Sequence, residues 1–190
     1  MALEIIRYYN SEEDFNQFHN NLKQLPCPRC KLTGALILNG RLRGNSENSF
    51  NIKVVRGRRI FCSNRRKRSK GCGITFCVFL AGILKNFSIT AKSLWSFLKN
   101  IVSSSNRIEA FRSMEFPQST SSCYRLWKRF STSQSRIRSF LVKLSPSPEL
   151  SKTCHPEIQT IAHLESVFSN YSLAISPIAA FQTHFQAPFL

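Results

Sequence analysis

A chain of 190 residues is long enough for one compact domain or two small ones. Its 27 Lys and Arg against 10 Asp and Glu leave a formal charge of +17 and a pI near 10.2, a surplus that wants a polyanionic partner. No run approaches the ~20 apolar residues of a membrane span, and Met1–Arg7 lacks the basic start and apolar core of a secretory signal. The expectation is a cytoplasmic protein without membrane contact, nucleoid-associated if bacterial.

In chain order, residues 1–26 form a helical lead-in. Ser11 caps its first turn, Glu12, Glu13 and Asp14 suit the positive end of the helix dipole, and Phe15, Phe18 and Leu22 recur at helical spacing before Leu25-Pro26 stops it. Residues 27–80 read as short strands. Ala35–Leu38 runs into Asn39-Gly40, a two-residue hairpin signal, with Arg41–Arg43 returning; Phe50–Val55 and Arg58–Cys62 make a second pair around Gly57, and Thr75–Leu80 a last strand. So small a sheet needs a staple.

From Ser88 the period becomes helical, and residues 88–144 hold three helices. Ser88 caps the first, whose face is Leu94, Trp95, Leu98, Ile101 and Val102; Ser103-Ser104-Ser105 breaks it. Asn106 and Glu109 open a short second helix through Ile108, Phe111 and Met114. The third carries a stripe from Cys123, Leu126, Trp127 and Phe130 to Leu144, either unbroken or bent at Ser131–Ser133. Residues 145–190 begin with the linker Ser145-Pro146-Ser147-Pro148, continue with a helix over Pro156–Phe168, and end in a tail.

The charge is confined to the middle. Residues 27–77 hold thirteen basic side chains and the single acid Glu47, and residues 78–144 eleven against two, while both ends are mildly acidic. A basic block of this kind is an electrostatic footprint, and Cys, Gly and aromatics interspersed in it argue against a lipid-binding helix.

Seven cysteines in a reducing compartment read as metal ligands or small buried groups. Cys27-Pro28-Arg29-Cys30 has the spacing of a metal knuckle and no thioredoxin-like surroundings. Cys62 and Cys72 supply a second pair, each beside a strand end, for a structural Zn²⁺ held by Cys27, Cys30, Cys62 and Cys72. Cys77 also lies near and is read as a buried strand thiol, Cys123 as core, and Cys154-His155 as a loose surface pair.

CPxC, an apolar strand ending in Gly, an aromatic-Cys strand end and then Cys72-Gly73-Ile74-Thr75-Phe76 together resemble the zinc ribbons of insertion-element and transposase-associated proteins. The resemblance covers residues 25 to about 80. It implies an α+β chain, a four-cysteine ribbon of short antiparallel strands followed by a helix-turn-helix-like region. One departure stands out: nine residues separate Cys62 from Cys72, where the family usually has two.

Two surfaces then present themselves to nucleic acid. Around the second knuckle lie Arg56, Arg58, Arg59, Arg65, Arg66, Lys67, Arg68 and Lys70. On the third helix Ser121, Ser122, Arg125, Lys128 and Arg129 face away from the apolar stripe, as on a major-groove recognition helix. One Asp and nine Glu, unpaired in the middle of the chain, do not make a two-metal nuclease. The sequence therefore points to a non-catalytic, zinc-dependent binder of double-stranded DNA, such as a transposon accessory factor. An RNA- or ribosome-associated ribbon is the alternative, and a DNA-cleaving transposase a second one.

Overall fold

A computed structural model describes residues 7–65, 70–104, 106–114, 117–149, 155–169 and 175–190. The chain is mixed α and β: a four-stranded sheet carries the cysteine end, and helices build the rest. No helix among the described residues is long and apolar enough to cross a membrane.

Tyr8–Tyr9 is β1, and α1 (Glu12–Asn20) follows it. Ser11 Oγ accepts from the Asp14 amide at 3.1 Å, so the expected cap and acidic first turn are both present. Phe15 is the buried residue of this helix, edge-on to Tyr9 and 5.9 Å from it. A short 3₁₀ turn, Leu22–Gln24, leads to the first knuckle.

The sheet departs from the expected pair of hairpins. β2 (Leu36–Asn45) and β3 (Lys53–Cys62) are two long antiparallel strands, and β4 (Thr75–Leu80) lies against β3. Asn39-Gly40 is not a turn. The register steps from Leu38↔Ile60 to Arg41↔Arg58, and Gly40 has φ +98°, so its tolerance of positive φ serves a bulge inside β2. A second bulge lies between Leu42↔Gly57 and Arg43↔Val55, which leaves Arg56 as the extra residue on β3. The real turn comes at 46–52, closed by Ser46 N–H donating to Ile52 O at 2.8 Å. β1 completes the order β1-β4-β3-β2, running parallel to β4 with Tyr8 opposite Phe79. Two residues are too few to show a period, so the sequence gives no sign of this strand.

The helices are α2 (Ala91–Ser104), α3 (Arg107–Arg112), α4 (Ser121–Leu141), α5 (Pro156–Phe168) and α6 (Pro177–Phe185). Thr90, not Ser88, opens α2, with its Oγ1 accepting from Ser93 N–H at 3.2 Å. Asn106 caps α3 as expected, accepting from the Ile108 and Glu109 amides. Despite its serines, α4 runs straight through 131–133, and Ser131 donates outward to Glu157. Residues 113–120 separate α3 from α4, a longer connection than the turn of about 3–4 residues in a helix-turn-helix.

Two apolar clusters result. The sheet cluster gathers Phe15, Leu36, Ile60 and Val78 around Cys27 and Cys62. The larger helical cluster joins Phe97, Phe130 and Ile137 to Leu164, Phe181 and Phe189, so the expected tail is a wall of the core. Gln182, fully buried, donates to Ala81 O and Ile83 O and accepts from the Phe189 amide, tying α6 to the end of β4. Gln186 accepts from the Arg7 and Tyr8 amides and donates to Tyr8 O, finishing the free edge of β1.

Tyr8, stacked on Phe79, bridges the sheet to the helical cluster, and burial pushes its phenol up to about 12. A folded-state value above the ordinary one makes its contribution complete below about pH 10. That contribution is lost as pH climbs through 12. Absorbance at 295 nm followed against far-ultraviolet circular dichroism should show this phenol ionising with the loss of structure, not before it.

Candidate metal centre and basic surfaces

Both cysteine pairs sit in turns of one design. In the first, Cys27 N–H donates to Leu32 O at 3.0 Å and Cys27 O accepts from Lys31 N–H at 2.9 Å. In the second, Cys62 N–H donates to Ile74 O at 2.9 Å and Cys62 O accepts from Gly73 N–H at 3.1 Å. Cys30-Lys31-Leu32 therefore corresponds to Cys72-Gly73-Ile74, and Lys31 and Gly73 share the left-handed conformation at φ +61° and +72°. The nine-residue excursion leaves this turn intact because it is closed on itself, Gly71 N–H donating to Ser63 O at 2.8 Å.

The four sulfurs converge. Cys27 Sγ lies 3.7 Å from Cys72 Sγ, Cys30 Sγ 3.7 Å from Cys62 Sγ, and all four lie within 4.8 Å of one another. A tetrahedron with metal–sulfur bonds of ~2.3 Å has edges of ~3.8 Å, whereas a disulfide needs ~2.05 Å. The set fits a metal ion and is not a pair of disulfides. Cys27 and Cys62 are fully buried; Cys30 and Cys72 face outward. The Leu32 amide beside its sulfur, with the neighbouring thiols, brings Cys30 down to about 7, while burial pushes Cys62 up to about 12. Cys72 N–H donates to Cys62 Sγ at 3.4 Å, the amide-to-sulfur bond that stabilises a thiolate. Cys77 stands apart on β4, paired across to Arg59 and partly exposed. Cys123 is buried and donates to Arg107 O, as its place on the apolar stripe implies.

Gly71 is required at this site. A Cβ there would stand 2.4 Å from Cys62 Sγ and 2.7 Å from Ser63 O. Gly71→Ala is expected to weaken metal binding about 10- to 100-fold, as loss of support around a ligand does, with competition against a chromophoric chelator as the measurement. Gly82→Ala, which meets nothing within 4 Å, is the silent control.

The basic residues divide. Arg56 leaves the expected nucleic-acid set: its bulge turns it inward, where its guanidinium donates to Asn45 O, Ser88 O and Leu84 O, and it is 9% exposed. Arg58 leaves it too, paired to Glu12 at 2.7 Å and lying over the Phe15 ring. Both now brace the sheet, which no charge count can reveal. Arg59, Arg65 and Lys70 are exposed, with Arg65 over the Phe61 ring. Arg66, Lys67 and Arg68 lie outside the described residues.

On α4, Ser121, Arg125, Lys128 and Arg129 are exposed and Ser122 half-buried, with Arg125 donating to Ser122 Oγ. Lys85, a lone lysine that carried no signal in the sequence, joins Arg125, Lys128 and Arg129 around a groove of about 860 Å³. No family model matches the chain, and neither does any curated protein or solved structure.

Proposed function

We propose that this chain is a nucleic-acid-binding protein whose sheet is held by a structural zinc ion at Cys27, Cys30, Cys62 and Cys72, and that it carries no catalytic centre of its own. The observation that carries the reading is the sulfur cluster, with edges near those of a tetrahedral four-thiolate site, set in the most basic stretch of the chain. Four thiolates select zinc or an iron–sulfur centre among common metals, and two closed knuckles with no open coordination position suit structural zinc. When bound, zinc would cross-link the two turns; the protein's own part is to supply four ligands and their amide support.

Exposed Arg59, Arg65 and Lys70 flank this centre, and Arg125, Lys128 and Arg129 form a second basic face on α4. Both favour phosphate as the target, with duplex DNA the polyanion expected from the sequence. The reading as a mobile-element accessory factor rests on the CPxC and CGxTF motifs alone.

Metal analysis of the purified protein should return a single zinc ion per chain. Binding to labelled DNA should weaken with salt, by roughly 0.9 in logarithmic slope for each phosphate neutralised. A metal-free protein with intact strands would overturn the zinc assignment, and a flat salt titration the phosphate argument.

A further inference from the structure

The groove beside α4 is more specific than a basic surface. Among the described residues its lining includes the cations Lys85, Arg125, Lys128 and Arg129 and no acidic side chain, with Leu190 also on the wall. It also holds Phe50, a large apolar residue that stays 51% exposed at the β2–β3 turn, and the half-buried Phe87. Gln118 joins three of the segments that make it: its Nε2 donates to Glu47 O in the turn and Ser88 Oγ in the loop after β4. That fixes the amide so that Oε1, buried in the groove wall, has no hydrogen-bond partner among the described residues.

A recognition helix must project to enter a major groove of about 12 Å width. Here Arg125 and Arg129, exposed on α4, line a concavity together with Lys85 instead of standing alone on a projecting face. A single strand needs the opposite shape: a cationic channel for the backbone and an exposed aromatic ring on which an unstacked base can lie. We infer that this groove binds a single-stranded segment of nucleic acid, with Lys85, Arg125 and Arg129 on its phosphates and a base stacked on Phe50. This rests on the nucleic-acid reading above and sharpens it from duplex to unpaired strand.

The test uses the full zinc-loaded chain and fluorescence anisotropy with a labelled mixed-sequence oligonucleotide of about 12 nucleotides, a length within single-strand site sizes, alone and as a duplex. The single strand should bind at least about tenfold more tightly, and Phe50→Ala should weaken it by about tenfold while leaving the duplex unchanged. Lys85→Gln and Arg129→Gln should each flatten the single-strand salt slope by ~0.7. These three side chains are exposed, so circular dichroism and zinc content should match the unaltered chain. A duplex bound as well as the strand, or a Phe50→Ala protein that binds normally, overturns this inference and leaves the broader reading standing. Binding of neither probe overturns both. Displacement by poly-glutamate at lower concentration than by oligonucleotide assigns the groove to an acidic peptide and overturns it as well.

Discussion

If zinc fills the four-cysteine cluster as proposed, a strong chelator should unfold the sheet and spare the helices. Zinc held by four thiolates contributes on the order of 10 kcal/mol or more to folding, comparable with the whole stability of a domain. Two of the ten buried members of the sheet cluster, Cys27 and Cys62, belong to the proposed ligand set. Without the ion their side chains become a buried, unlinked pair, and the bulged β2–β3 strands lose the clamp at the Leu36–Cys62 end. Hydrogen exchange should therefore show amides of β2, β3 and β4 losing protection while α2, α4 and α5 retain it. Cys62→Ser should reproduce this in zinc-replete buffer. Cys77→Ser should not, because Cys77 lies outside the cluster. Protection of the strands that survives chelation would show that apolar packing alone holds the sheet.

The second large effect is expected far from the basic block. Phe181 is fully buried between Phe140 and Phe189, with ring centroids 5.7 and 5.4 Å away. Truncating such a ring removes its transfer energy and leaves a cavity, so Phe181→Ala should cost about 3–5 kcal/mol. Urea denaturation monitored by circular dichroism should show the helical transition moving to much lower denaturant. An exposed apolar residue gives the contrast: Val142→Ala, at 58% exposure on the last turn after α4, should fall within about 0.5 kcal/mol of the parent. If Phe181→Ala were equally mild, α6 would be an appendage, and the core would end with α5.

Local signals were legible where they decide local structure. Ser11, Asn106 and the period of Leu94, Leu98 and Ile101 all appear in the fold as read, and so does the helix at Pro156–Phe168. The convergence of Cys27, Cys30, Cys62 and Cys72 was legible too, because CxxC spacing and a Cys-Gly pair constrain the backbone tightly. What failed were inferences in which one local feature serves two ends. Gly40 supplies positive φ to a bulge as readily as to a hairpin turn, and only the ladder with β3 decides which. Arg56 and Arg58 count as charges in any tally, yet a register step turns one inward and Glu12 claims the other. Ser176 and Pro177 do carry a cap signal for α6 that the linker-and-tail reading passed over. The groove was invisible for a different reason: Phe50, Lys85, Gln118 and Arg129 meet only through tertiary packing, and no spacing connects them.

The stitching of Gln186 onto the Arg7 and Tyr8 backbone has a temporal consequence. A nascent polypeptide emerges from its N-terminal side, so β1 must wait for a partner 178 positions downstream before its outer edge is satisfied. Gln182 imposes a shorter wait, 101 positions, on Ala81, the residue just after β4. Closure over such spans is slow, since the entropy of the intervening loop is lost before any contact compensates it. The two cysteine knuckles can close before that point, whereas the outer edge of β1 and the residue after β4 cannot, because both need α6.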